Sequence, residues 1–385
     1  MYDFDEIIER RGTNCAKWDT MPAPDVLPMW VADMDFRTAP AIIDALERRV
    51  RHGVYGYARV PGEWYDALGG WFARRHGWPV ERGHVLTASG VVPALSAIIK
   101  ALTVPGDSVI IQTPAYNCFF SSIRNNGCVA SESPLVYRDG TYSMDFDDLE
   151  ARAADPAAKV MLLCSPHNPV GRVWSREELT RVGDICLRNS VVVIADEIHC
   201  DLIAPGHTHI PFATLGAGFE RGSVTCVAPS KTFNLAGVQV AAIVASDDSL
   251  RRRIYRALND NETGELNVFA VEALIAACNE GAEWLDELRD YLHENYLTLR
   301  RFFETRLPRL RVLPLEGTYL VWVDCKALGI SSAVIAKTLL DEGRIKVNPG
   351  TLYGAAGGGF VRINIATRRA DLIRALEAIG NIYGQ

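Results

Sequence analysis

The sequence predicts an α/β protein: a large domain with a mixed, mostly parallel sheet flanked by helices, plus a smaller α+β domain. Three observations predict it. From about residue 54 to 275, uniformly apolar β-like runs alternate with amphipathic helical stretches, the pattern of a sheet buried on both faces. After about residue 310, strands and helices follow a long helical stretch. The chain's 385 residues exceed one small core and suit two domains.

Taken in order, residues 1–40 form an irregular arm rich in turn formers, with one apolar piece at Leu27–Ala32. Helical spacing of apolar residues predicts a helix over Ala39–His52. The clearest strands are Ser108–Thr113, Lys159–Cys164, Val191–Ala195, Ser223–Ala228 and Val238–Ala245. A helical stretch in two pieces runs from Val268 to about Phe303, with alternating charges on a solvated side. Strands over Tyr319–Val323 and Phe360–Ile365, with helices over Ser331–Asp341 and Ala370–Ile379, make the last domain. The expected division is an arm over 1–45 joining the small domain, a large domain over 46–275 and a small domain over 276–385.

Composition excludes several classes. A net charge of −7 disfavours nucleic acid or an anionic membrane as partner. The nine cysteines, an odd number, show no CxxC or Cys/His cluster, which argues for reduced thiols in a cytoplasm and against disulfides or a structural zinc; no metal site is expected. The N-terminus is acidic and has no apolar core, unlike a signal peptide. No apolar run approaches the roughly 20 residues that span a bilayer.

The most informative stretch is Ser-Lys-Thr-Phe-Asn-Leu-Ala-Gly at 230–237, between two apolar runs. A lysine held at the end of a buried strand loses hydration, which lowers its pKa and favours Schiff-base chemistry. Alone, Lys231 reads equally well as a strand end with its ammonium in water. Asp196 closes the most apolar strand, where a ligand of a parallel sheet would bind and a partly desolvated carboxylate would seek a cation such as a protonated pyridine nitrogen; the plainer reading is a turn cap. Ser89-Gly90-Val91-Val92 precedes a helix and offers free N–H groups to a phosphate, although small residues before helices are common. Asn168, between two prolines, presents an amide to a phenolate or carboxylate, or belongs to an ordinary turn. Tyr116, past another strand end, stacks on a flat ring or is plain packing. Arg362 in an apolar strand needs an anion, either a substrate carboxylate or an internal partner. Four of these signals sit at C-terminal ends of separate strands, as a site around pyridoxal phosphate would require.

With these residues in place, the chain resembles the fold-type I pyridoxal-phosphate enzymes of the aminotransferase class I/II superfamily. More narrowly, it is similar to the cystathionine β-lyase/C–S lyase branch (MalY/PatB type). The similarity rests on Phe4-Asp5…Ile8…Arg10–Thr13…Lys17–Asp19, Leu27–Phe36, Gly53–Tyr57, Asp196–His199, Ser230–Gly237, Trp284-Leu285 and Gly317–Leu320. It implies that Lys231 carries the Schiff base, Asp196 pairs with the pyridine nitrogen, Asn168 reaches the phenolic oxygen with His199 near that side, and Tyr116 stacks on the ring. It places Gly90, Val91, Val92 and Ser230 at the phosphate, with Tyr57 reaching the phosphate of a neighbouring subunit, hence a homodimer with shared sites. Arg362, with Asn168, Tyr57 and backbone near Ala32, would bind an amino-acid substrate.

Two positions depart from the superfamily pattern. Gln239 stands where many members place an arginine at the phosphate, and Ala228 where a hydroxyl is common. The implied reaction is α,β-elimination from cystathionine or another S-substituted cysteine. The alternatives are an aminotransferase, a lyase specialised for a bulky cysteine conjugate, and a binding or regulatory protein that keeps the fold without the chemistry.

Overall fold

The computed structural model describes residues 2–260 and 264–384. Its centre is a seven-stranded sheet. In chain order the strands are β1 (Val85–Ala88), β2 (Ser108–Thr113), β3 (Val129–Pro134), β4 (Ala158–Cys164), β5 (Val192–Asp196), β6 (Ser223–Val227) and β7 (Ala241–Val244). Their order across the sheet is β1-β7-β6-β5-β4-β2-β3. Strands β3, β2, β4, β5 and β6 pair in parallel; β7 is antiparallel to both β6 and β1. Strands β2 and β6 are buried at every position, because helices cover both faces of the sheet's centre and leave no solvated face to alternate with.

The smaller sheet holds β8 (Arg311–Val312), β9 (Leu320–Asp324), β10 (Asn348–Pro349) and β11 (Phe360–Asn364). Its order is β8-β9-β11-β10, all antiparallel. The helices Ser332–Asp341 and Arg369–Tyr383 accompany it.

The long helical stretch breaks into Val268–Glu280 and Ala282–Arg306. Gly281 lies at the break, and a Cβ there would stand 2.4 Å from the Phe233 ring. Only glycine admits so close an approach, so the two helices clasp the segment that follows Lys231. Phe233 in turn stacks on Trp284, with centroids 5.8 Å apart.

The arm has little regular structure but is firmly packed. Leu27–Pro28 pairs in parallel with Ile345–Lys346. Phe4, Leu27, Met29, Met34 and Phe36 belong to one apolar core with the helix Ala282–Arg306 and the C-terminal elements. Buried and half-buried charges fix the rest: Arg10 and Lys17 pair with Asp33 and Asp35 at 2.6–3.3 Å.

One strand starts later than its apolar run predicts. The run expected over Val238–Ala245 forms strand only from Ala241. Ala236–Val238 makes a 3₁₀ turn, and Gln239 takes a left-handed conformation with φ of 60°. Strands β1 and β3 add to the clearest runs of the sequence.

Candidate active site

Five parallel-running strands deliver their C-terminal ends to one rim of the sheet. β1 leads into Ser89–Val92, β2 into Tyr116 and β4 into Asn168. β5 ends on Asp196, and β6 leads into the short turn Pro229–Thr232. The reversed β7 brings its entry, Gln239 and Val240, to the same rim. Between them lies a cavity of about 460 Å³. Eleven of the twelve site residues expected from sequence line it: Ala32, Gly90, Val91, Val92, Tyr116, Asn168, Asp196, His199, Ser230, Lys231 and Arg362. Tyr57 does not. It is fully exposed on the surface, beside exposed Val54 and Tyr55.

Lys231 Nζ donates to the Ala32 carbonyl oxygen at 2.7 Å, and Tyr319 Oη donates to the same oxygen at 2.9 Å. Burial, helped by the nearby Arg362 charge, lowers the Lys231 ammonium to about 8, against the pull of Asp33 and Asp196. A sizeable fraction is therefore the free amine near neutral pH.

Asp196 is buried beside Cys164 on β4 and Cys226 on β6. It accepts one backbone bond, from the Ile198 N–H at 3.2 Å. Burial pushes its carboxyl up to about 7. His199 is buried as well, and burial pushes its imidazole down to about 3, so the ring is neutral.

Arg362 lies in β11 and crosses between the sheets to reach the cavity. Its Nη1 donates to Asn168 Oδ1 at 3.0 Å and its Nη2 to the Trp30 carbonyl at 2.7 Å. Its Nε has no protein partner. The first bond occupies the oxygen of the Asn168 amide and leaves the NH₂ side as the donor.

The helix Val91–Leu102 starts at Gly90 without a side-chain cap and without an acidic residue in its first turn. Its free N–H groups and positive dipole end point at the cavity rim.

Sequence reasoning did not single out Trp30, Asn348 or Leu352, which also line the cavity. Asn348 Nδ2 donates to the Trp30 carbonyl at 3.0 Å. Trp30 stands inside the arm motif and so was within reach of pattern reading; Asn348 lies in β10 of the smaller sheet, Leu352 in the turn after it, and neither carries a local signal. Asn234 escaped notice too. Its amide holds the arm, accepting from the Met34 N–H and donating to the Met34 and Phe36 carbonyls, each at 3.0 Å.

The model of the family described as aminotransferase class I and II matches residues 24–379. The chain belongs to this family. It is 44% identical to cystathionine β-lyase PatB of Bacillus subtilis (strain 168), covering 98% of each chain. It is 35% identical to protein MalY of Escherichia coli (strain K12), over 99% of this chain and 98% of that one. Cystalysin from Treponema denticola, whose crystal structure contains a pyridoxal 5′-phosphate cofactor, matches with a TM-score of 0.97 at 33% identity, over 99% of this chain and 98% of that one. The chain is a pyridoxal-phosphate-dependent enzyme of the carbon–sulfur lyase type.

The residues present fit that cofactor. An uncapped helix start suits its phosphate. A buried carboxylate with a single hydrogen bond suits a protonated ring nitrogen. An amine of lowered pKa lies in the same cavity. Arg362, which lines the cavity and whose Nε is unpartnered, suits a carboxylate. At the phosphate end, Gln239 lines the cavity, and among the described residues no lysine or arginine side chain does so except Lys231 and Arg362. Among the described residues, no helix is long and apolar enough to cross a membrane.

Proposed function

We propose that the enzyme catalyses α,β-elimination from L-cystathionine or another S-substituted L-cysteine, releasing a thiol, pyruvate and ammonia. The observation that carries this reading is the contact between Lys231 and Ala32. It joins the Schiff-base segment to the arm segment Leu27–Phe36, which resembles the lyase branch more than ordinary aminotransferases.

When bound, pyridoxal phosphate would supply an electron sink for the charge left when the substrate Cα loses its proton. Arg362 binds the α-carboxylate in a bidentate manner, with Asn168 and the Ala32 backbone fixing its position. Asp196 would keep the ring nitrogen charged. Asn168 would donate to the phenolic oxygen, with neutral His199 on that side, and Tyr116 would pack on the ring. Gly90, Val91, Val92 and Ser230 would hold the phosphate. The free amine of Lys231 takes the Cα proton. The Cβ–S bond then breaks, the sulfur leaves with the electron pair, and a proton from Lys231 or a nearby tyrosine completes the thiol. Water hydrolyses the remaining three-carbon fragment to pyruvate and ammonia.

We further propose a cytoplasmic homodimer. The exposed segment Val54–Tyr57 supports it, since Tyr57 stands free to reach a neighbouring subunit's phosphate site. Nine unpaired cysteines suit a reducing compartment. The proposed domains remain 1–45, 46–275 and 276–385, with the arm counted with the small domain because Leu27–Pro28 pairs with Ile345–Lys346.

A panel of S-substituted L-cysteines, L-cystathionine among them, scored by pyruvate release, tests the substrate class. Release from at least one member is expected. No release from any member would exclude this substrate class.

A further inference from the structure

Lys231 sits in a turn of only four residues, Pro229–Thr232. So short a turn has no cooperative stability of its own, and its orientation must come from contacts outside it. One is the Asn234 clamp on the arm. The other is Thr232, whose side chain is fully buried and whose Oγ1 donates to Asp201 Oδ2 at 3.0 Å.

Asp201 is a hub. Its Oδ1 also accepts from His76 Nε2 at 2.8 Å and from Trp71 Nε1 at 3.1 Å, and its Oδ2 lies 3.3 Å from the same indole nitrogen. Burial alone would raise this carboxyl, but the His76 contact and the bonds from Thr232 and Trp71 hold it below the usual carboxylate range. Trp71 packs its ring edge-on against Phe233, at 5.6 Å between centroids. Among the described residues, Arg75, which pairs with Asp286, and the buried thiols Cys200 and Cys278 also interact electrostatically with Asp201, and Arg74, His207, Arg289 and His209, the last paired with Glu197, line the same cleft.

Ligand atoms of His76, Cys200 and Asp201 lie within 4.8 Å of one another. Both Asp201 oxygens are already occupied by donors, however, and the Cys200 thiol is driven far from ionisation by burial. The geometry is that of a saturated anchor and not of a vacant metal site.

Asp201 follows Asp196 and His199 in the same short segment, while Thr232 directly follows Lys231. One carboxylate therefore ties the two walls of the cavity together. We propose that Asp201 is a positioning residue: through the Thr232 hydroxyl it fixes the turn that carries Lys231 and sets the reach of the amine to the substrate Cα. This rests on Lys231 being the reacting amine.

The test compares the holoenzyme with Thr232→Val and Thr232→Ser. In Thr232→Val, kcat should fall about ten- to a hundredfold, the scale of a small misplacement of a reacting group, with KM within about twofold. The pH midpoint of the bound cofactor's visible band should shift, and Thr232→Ser should restore both. Unchanged kcat and midpoint in Thr232→Val would overturn the proposal. So would a loss that follows only cofactor content or melting temperature and that serine does not restore. If Thr232→Val does not accumulate, Asp201→Asn is read in the same way. A failure of the lyase reading itself would show in the wild-type enzyme, as absent pyruvate release or as borohydride fixing the cofactor elsewhere than Lys231.

Discussion

Lys231 Nζ bonds to the carbonyl oxygen of Ala32 across 199 positions of sequence. The amine expected to move a proton is thus held by the arm, and Asn234, three residues on, grips that arm at Met34 and Phe36. Replacing Asn234 by alanine should loosen the arm over the cavity. It should cost about 1–3 kcal/mol of stability, the scale of leaving buried polar groups unpaired, and lower kcat as well. Chemical denaturation and steady-state kinetics check both; a neutral variant would remove the arm from the active site's support.

Asp196 should destabilise the cofactor-free protein. Its folded pKa, about 7, lies above the ordinary carboxylate value of 3.8. Its contribution to stability is therefore fully present below about pH 4 and is lost as pH rises through about 7, by at most about 4 kcal/mol. Asp196→Asn removes that loss. The apo variant should be more stable than apo wild type at pH 8, with the difference shrinking towards pH 5, while the holo variant should be nearly inactive. Denaturation at the two pH values measures this.

Arg362→Lys should raise KM for an S-substituted cysteine by about tenfold or more, because a single ammonium cannot reproduce a bidentate contact. A substrate lacking the α-carboxylate should show little difference between wild type and variant. Equal losses on both substrates would place Arg362 outside carboxylate recognition.

Lys231, lowered to about 8, gains free amine as pH rises. The acid limb of the kcat profile should climb towards about pH 8 and then level off. A kcat that falls as pH rises from 6 to 8 would contradict the amine as base.

Much of the site was legible because each group follows a short apolar strand, so pattern and chemistry coincide within a few residues. The parallel core of the sheet was readable for the same reason: its strands are buried throughout. The edge strand β3 reads Val-Ala-Ser-Glu-Ser-Pro, and its exposed and half-buried positions weaken the apolar signal. β1 has only four residues, two of them half-buried. The late start of β7 depends on a left-handed Gln239, which composition does not announce. The arm's order was hidden for another reason: Lys17 is 1% exposed, and nothing local marks a lysine for burial until Asp33 and Asp35 are folded against it. Tyr57 carries no signal of its target within one chain, since it points away from the body of the protein.

The most direct measurement incubates the holoenzyme with an S-substituted L-cysteine and no added keto acid, following thiol and pyruvate together. Elimination predicts that both accumulate in equal amounts over many turnovers. Turnover that starts only when a keto acid is supplied, and that yields the corresponding amino acid in place of free thiol, would contradict it.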